Sequence, residues 1–206
     1  MVQRIGIFGG TFDPVHLGHL NAASRAATIL NLDQVVFVPT GQPWRKHTVH
    51  ASAEDRLKMV GLAVADDARF SASRIEVDRL GPTYTIDTLR ELRASAQYRD
   101  SDLFFITGAD AIAEIDSWKD SDQLADLAEF VAVTRPGCAE WTSLVGVDPP
   151  IPVIALDVPG LDISSTMVRE RISRRERIDS LTVPQVIAYL DQHRLYTRGG
   201  SLEGDA

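Results

Sequence analysis

The chain has 206 residues, of which 44% are hydrophobic and 24% charged, and its formal net charge is −8. That composition belongs to one globular domain large enough for a real core, and the negative balance argues against a nucleic-acid polymer as partner. No apolar run approaches a membrane span, Met1-Val2-Gln3-Arg4 shows no signal-peptide pattern, and the lone Cys138 has no partner for an internal disulfide, so a cytoplasmic protein is expected.

Val2 to Phe8 reads as a strand, and His16 to about Leu30 as a helix with Leu17, Leu20, Ala23, Ala27 and Leu30 on its apolar face. Gln34 to Val38 is a second strand, Pro39 to His50 a loop, and Glu54 to Val64 a helix with Leu57, Val60 and Val64 on one side. A strand is expected over Phe70 to Val77. A helix follows from Thr83, its candidate N-cap, to Ala96. Leu103 to Thr107 is a short buried strand leading through Gly108-Ala109-Asp110 into helix as far as Trp118, with more helix from Gln123 to Leu127. Glu129 to Thr134 and Ile151 to Leu156 are strands separated by a surface loop over 138–150. Ser165 to Ser173 and Thr182 to Arg194 close the chain as helices, the second with Pro184 in its first turn. This alternation predicts a single doubly wound α/β domain with a mostly parallel sheet over residues 1–196, and a disordered polar tail over 197–206. In such sheets ligands bind beyond the carboxyl ends of the strands.

Gly9-Gly10-Thr11-Phe12-Asp13-Pro14-Val15-His16-Leu17-Gly18-His19 stands at that end of the first strand. A glycine-rich turn between strand and helix lets backbone N–H groups approach a phosphate, and the helix N-terminus adds the positive end of its dipole. His16 and His19, three apart in the first helical turn, share one side. Two imidazoles beside a phosphate cradle point to phosphoryl or nucleotidyl transfer. A core histidine at His16 and a zinc-binding pair remain as alternatives, although His47, His50 and His193 lie in unrelated contexts. The spacing matches neither a Walker loop nor a dinucleotide fingerprint. Ile163-Ser164-Ser165-Thr166-Met167-Val168-Arg169 opens another helix with hydroxyls and free N–H groups, and Arg169 is placed to grip phosphate. The remaining arginines of the run Arg171, Arg174, Arg175 and Arg177 are interleaved with Glu170 and Glu176, as on a solvated helix face.

The string from Gly9 to His19 resembles the H-x-G-H nucleotidyltransferase superfamily, and Ile163 to Arg169 is similar to its I-S-S-T-x-x-R signature. Pro82 to Leu89 with its Thr-Tyr-Thr, Gly108-Ala109-Asp110-Ala111 followed by Trp118, and Arg135-Pro136-Gly137 resemble the bacterial nicotinate-nucleotide adenylyltransferases. The resemblance covers most of the chain from Val2 to about Arg175. It implies transfer of the adenylyl group of ATP to nicotinate mononucleotide, with Mg2+ arriving on ATP. It further implies that His16 and His19 act at the α-phosphate, while Lys46 and Arg169 hold the β- and γ-phosphates. Pro43-Trp44-Arg45-Lys46 departs from the family's frequent Pro-His-Lys, so Arg45 stands beside Lys46 as a candidate, on a loop expected to order over ATP. Gly9, Gly10, Thr11 and Phe12, with Ile163, Ser164 and Ser165, would contact nucleotide. Thr85, Gly108, Asp110, Trp118 and Arg135 would complete the substrate site. A same-fold enzyme with another acceptor, such as pantetheine phosphate or glycerol phosphate, and a nucleotide sensor without turnover are the competing functions.

Overall fold

A computed structural model describes residues 2–44, 48–134, 151–158 and 162–197. In chain order its elements are β1 (Arg4–Gly10), α1 (Leu17–Ile29), β2 (Gln34–Pro39), β3 (Gln42–Pro43), α2 (Ala53–Val64), β4 (Phe70–Ala72), β5 (Pro82–Thr83), α3 (Thr85–Ala94), β6 (Asp102–Gly108), α4 (Ala109–Ile112), β7 (Glu129–Thr134), β8 (Val153–Asp157), α5 (Ser165–Ser173) and α6 (Pro184–Gln192). Six of the strands form one parallel sheet in the order β4-β2-β1-β6-β7-β8. The direction of winding reverses between β1 and β6, which opens a crevice at their carboxyl ends. Gly9 and Gly10 end β1 there, and Gly108 ends β6.

Each face of the sheet buries its own apolar layer, as a doubly wound sheet requires. Phe8, Phe37 and Phe104 lie on one face with Ala23 and Ala26 of α1, Met59 and Val60 of α2, Val168 of α5 and Val186 of α6. Ile5, Ile7, Val36 and Phe105 lie on the other with Ile86 and Leu89 of α3 and Ile112 of α4. Fully burying a side chain of this size contributes roughly 1.5–3 kcal/mol. Among the described residues no helix is long and apolar enough to cross a membrane.

The expected strand and helix alternation holds, with four local differences. Strand β4 stops at Ala72 instead of Val77. Beyond one more link, Ser73 N to Phe37 O at 2.8 Å, the chain turns through Asp78 N to Arg74 O at 2.9 Å. That turn carries Glu76 into the interior. Thr83 does not cap a helix: it sits in β5, pairs with Pro43 and donates its hydroxyl to Gln42 O at 3.3 Å, and α3 begins only after Tyr84. The loop after β2 therefore contains a two-residue strand. Between Ala109 and Leu127 the helices expected as far as Trp118 and from Gln123 to Leu127 give way to α4 and tight 3-10 turns over Ile115–Ser117 and Ser121–Asp126, the two turns separated by Asp120 at φ 49°. The 138–150 loop and residues 198–206 lie outside the described residues.

Candidate active site

The strand-to-helix turn after β1 bends through Phe12, whose φ of 50° lies in the left-handed region, and through a cis Asp13–Pro14 bond. Phe12 is buried, with its ring edge-on to Phe8 at 5.5 Å and to His19 at 5.0 Å. A Cβ on Gly10 would come within 2.9 Å of the Phe12 ring, and one on Gly9 within 2.6 Å of the Phe105 ring. The two glycines thus let aromatic rings close in from opposite faces of the sheet.

His16 is the N-cap residue of α1 and only 3% exposed. Its ring stacks on that of His19 with centroids 3.6 Å apart and planes at 24°. The His16 backbone N–H donates to His19 Nδ1 at 3.2 Å, so the proton of neutral His19 sits on Nε2 and makes that atom a donor. Helix α5 docks directly on the same turn. Ser165 Oγ donates to Pro14 O at 2.9 Å, and Arg169 Nη1 donates to Asp13 O at 2.6 Å while its Nη2 reaches Thr166 Oγ1 at 3.0 Å. Ser164 caps α5 by accepting from Met167 N at 3.1 Å, and Ile163 O lies 3.5 Å from where a Gly18 Cβ would stand. Neither α1 nor α5 carries an acidic residue in its first turn, unlike α2 with Glu54 and Asp55. Neither positive dipole end is therefore neutralised by a carboxylate of its own helix.

A second group gathers on the opposite face of the sheet. Trp118 packs edge-on against Phe105 at 6.1 Å and Phe130 at 6.4 Å, and its buried Nε1–H has no hydrogen-bond partner among the described residues. Phe105 is also the ring that Gly9 accommodates, so Gly9, Phe105 and Trp118 form a contiguous path from the turn to this group. Lys119 lies 4.9 Å above the Tyr84 ring and donates to both Asp87 oxygens at 2.8 and 3.1 Å, joining the Trp118 segment to the first turn of α3, where Thr85 sits. The Trp44 ring lies tilted against that of Tyr84 at 5.8 Å. Asp110 is exposed in the first turn of α4 and folds back over Gly108. Lys46 and Arg135 lie outside the described residues, as does Arg45.

Three residues that hold the turn were given no role by sequence reasoning. Asp13, 5% exposed, accepts from His50 N at 2.8 Å, Ala51 N at 3.1 Å and Tyr196 Oη at 2.7 Å. Arg56, 1% exposed, donates to Thr11 O at 2.7 Å, Gly41 O at 3.0 Å and Ala51 O at 3.3 Å. One guanidinium thereby ties the turn to both ends of the loop after β2. Burial pulls its pKa down, opposed by the nearby charges of Asp13 and Glu76. Glu76, also buried, accepts from Thr88 Oγ1 at 2.8 Å; burial pushes its carboxyl up, while hydrogen bonds from Thr88, Thr83 and the Gly41 amide oppose the rise. Gly41 is required there, because a Cβ would run into the Glu76 carbonyl. The available signal for Arg56 was a cation beside the apolar positions Leu57 and Val60 of a predicted helix.

The chain matches the family model described as cytidylyltransferase-like over residues 7–171. It is 51% identical over 95% of both chains to a protein of Acidothermus cellulolyticus named a probable nicotinate-nucleotide adenylyltransferase. A protein of Frankia casuarinae with the same name is 53% identical, over 91% of this chain and 97% of its own. The fold is also that of the nicotinic acid mononucleotide adenylyltransferase of Plasmodium falciparum complexed with NaAD, with a TM-score of 0.76 and 20% identity over 94% of this chain and 97% of that one. Motif, topology and kinship agree: the chain belongs to the nicotinate-nucleotide adenylyltransferases of the cytidylyltransferase-like family.

Proposed function

We propose that the protein joins ATP and nicotinate mononucleotide to give nicotinic acid adenine dinucleotide and pyrophosphate. The observation that carries this reading is the direct bonding of Arg169 and Ser165 to the backbone of the histidine turn, which unites both signatures in one site. The names of the relatives support the choice of acceptor, as does the Plasmodium structure's complex with NaAD.

The acceptor's phosphate oxygen is already ionised at neutral pH and attacks the α-phosphorus directly. A new P–O bond forms while the bond to pyrophosphate breaks, so no proton has to be removed from the nucleophile. What remains for the protein is alignment and stabilisation of the charge that builds on the α-phosphate and the leaving group. His19 donates from Nε2, and its orientation is fixed through Nδ1 by the helix that also caps at His16. His16, buried and stacked on it, is held rigid beside the same phosphate. Arg169, together with Ser164, Ser165 and the N-terminus of α5, takes the triphosphate side, where Lys46 joins it. Magnesium would arrive with ATP and would supply positive charge to offset that of the departing pyrophosphate. Gly9, Gly10, Thr11 and Phe12 line the junction between the nucleotides, with Ile163 beside Gly18.

Thr85, Gly108, Asp110, Trp118 and Arg135 face the acceptor in this reading. The Trp118 indole offers a flat ring for a pyridinium and a buried N–H without a hydrogen-bond partner among the described residues. Lys119 is engaged by Asp87, so the donors left for a nicotinate carboxylate are the Thr85 hydroxyl, backbone N–H groups and Trp118. The lone cysteine supports the cytoplasm as its compartment.

Pyrophosphate release from ATP tests the assignment, with nicotinate mononucleotide, its amide, pantetheine phosphate and glycerol phosphate as acceptors. The expected result is efficient turnover with the nicotinate nucleotide and weaker turnover with its amide. A higher kcat/KM with either of the other two phosphates would change the acceptor. Nucleotide binding with no turnover on any of them would make the protein a sensor.

A further inference from the structure

The match to the family model ends at residue 171, yet the chain beyond it returns to the histidine turn three times. Leu181 O accepts from Leu17 N at 2.8 Å, and Thr182 Oγ1 donates to Val15 O at 3.0 Å. Tyr196 Oη donates to Asp13 Oδ1 at 2.7 Å. The first two contacts are made to backbone at the entry to α1. The third is different in kind, since it reaches a buried carboxylate whose own backbone carbonyl carries Arg169.

We infer that Tyr196 is a positioning residue for the ATP half of the reaction, acting through Asp13 on Arg169. The reasoning follows the hydrogen bonds outward. A carboxylate as buried as that of Asp13 must have its lone pairs matched, because an unsatisfied buried charge is costly. Its Oδ2 is served by His50 N, and its Oδ1 is shared between Ala51 N at the longer 3.1 Å and Tyr196 Oη at the shorter 2.7 Å. Without the phenol, Oδ1 keeps only the longer of its two bonds, and Asp13 shifts toward the 50–51 backbone. The Asp13 carbonyl shifts with it, and that carbonyl is one of the two acceptors orienting the Arg169 guanidinium. Burial, then the Asp13 carboxylate, hold the Tyr196 phenol well above its ordinary pKa, so it remains a donor throughout the working pH range. The backbone at Tyr196, with φ 62°, lies in the left-handed region, a conformation that side-chain contacts must hold in place. The ring supplies one such contact against the apolar layer of α1, α2 and α6, and the hydroxyl supplies the other.

The inference rests on the proposed adenylyl transfer for its assignment of Arg169 to the triphosphate. Its consequence is asymmetric between the substrates, since Trp118 packs on the other face of the sheet from the turn that Arg169 holds. Tyr196→Phe keeps the ring and removes the hydroxyl. It is expected to raise KM for ATP about tenfold, the effect of one hydrogen bond to a charged group, and to leave KM for nicotinate mononucleotide unchanged. Tyr189→Phe is the control. It removes a bond of equal length, Tyr189 Oη to Asp55 Oδ1 at 2.7 Å, between α6 and α2. A comparable loss of melting temperature is expected there, with wild-type KM for ATP. Calorimetric titration with ATP reads the same effect without turnover, at a temperature below every melting transition. Absence of dinucleotide product from the wild type would remove the proposed reaction while leaving this titration to decide on Tyr196. An unchanged ATP affinity in folded Tyr196→Phe, or equal losses for both substrates in both variants, would overturn the inference.

Discussion

Replacing His19 by alanine is expected to lower kcat about a hundredfold or more, with KM for both substrates little changed. The asymmetry follows from when the interaction is made. In the ground state the charge of the α-phosphate is spread over its non-bridging oxygens, so one imidazole donor adds little to binding. In the transition state, charge moves onto the bridging oxygens, and a donor already fixed in place needs no reorganisation to meet it. His19 is fixed by its bond from His16 N, by stacking on His16 and by the edge of Phe12. Alanine is a good helix former, so α1 should survive the change. Steady-state kinetics on the folded variant, checked by its far-UV spectrum, give the answer. Near-wild-type kcat would remove His19 from the chemistry.

Arg56→Met is expected to destabilise the fold by about 3 kcal/mol or more, because it breaks a buried charged network from one side. The three carbonyls of Thr11, Gly41 and Ala51 lose a donor, and Asp13 and Glu76 lose a nearby cation. Methionine fills much of the space but supplies no N–H group. For a chain of this size the change corresponds to a fall in melting temperature of about 10 °C. Because the same guanidinium joins the turn to both ends of the loop after β2, ATP affinity should fall along with stability. Denaturant unfolding measures the first effect. A midpoint shift equivalent to less than about 1 kcal/mol would show that solvent or neighbouring donors replace the arginine.

The parts of the molecule legible in the sequence were those where local chemistry decides the conformation. The stretch Val2 to Phe8 reads as the strand that β1 is, and the helix expected from Ser165 to Ser173 is α5 to the residue. The meeting of the histidine pair with Arg169 was legible because each signature opens a helix at the carboxyl end of the sheet, and each spacing is local. What escaped was decided by partners distant in sequence. Thr83 has the look of an N-cap, but pairing of β5 with β3 claims it for a strand. A strand is expected as far as Val77, but the buried contacts of Glu76 with Thr88 and Gly41 turn the chain away. Asp13 was visible in the motif, while its function as an acceptor depends on residues 37, 38 and 183 positions away. No local pattern encodes such a meeting.

The central claim is that both nucleotides occupy one crevice above β1 and β6 and react with each other directly, with the protein supplying charge and alignment and no covalent nucleophile. The stereochemical course at the α-phosphorus tests it most directly, using ATP carrying sulfur at a defined non-bridging α position and nicotinate mononucleotide as acceptor. A single in-line displacement inverts that centre, and inversion is the predicted result. Retention would require two successive displacements through an adenylylated residue, and would contradict the account.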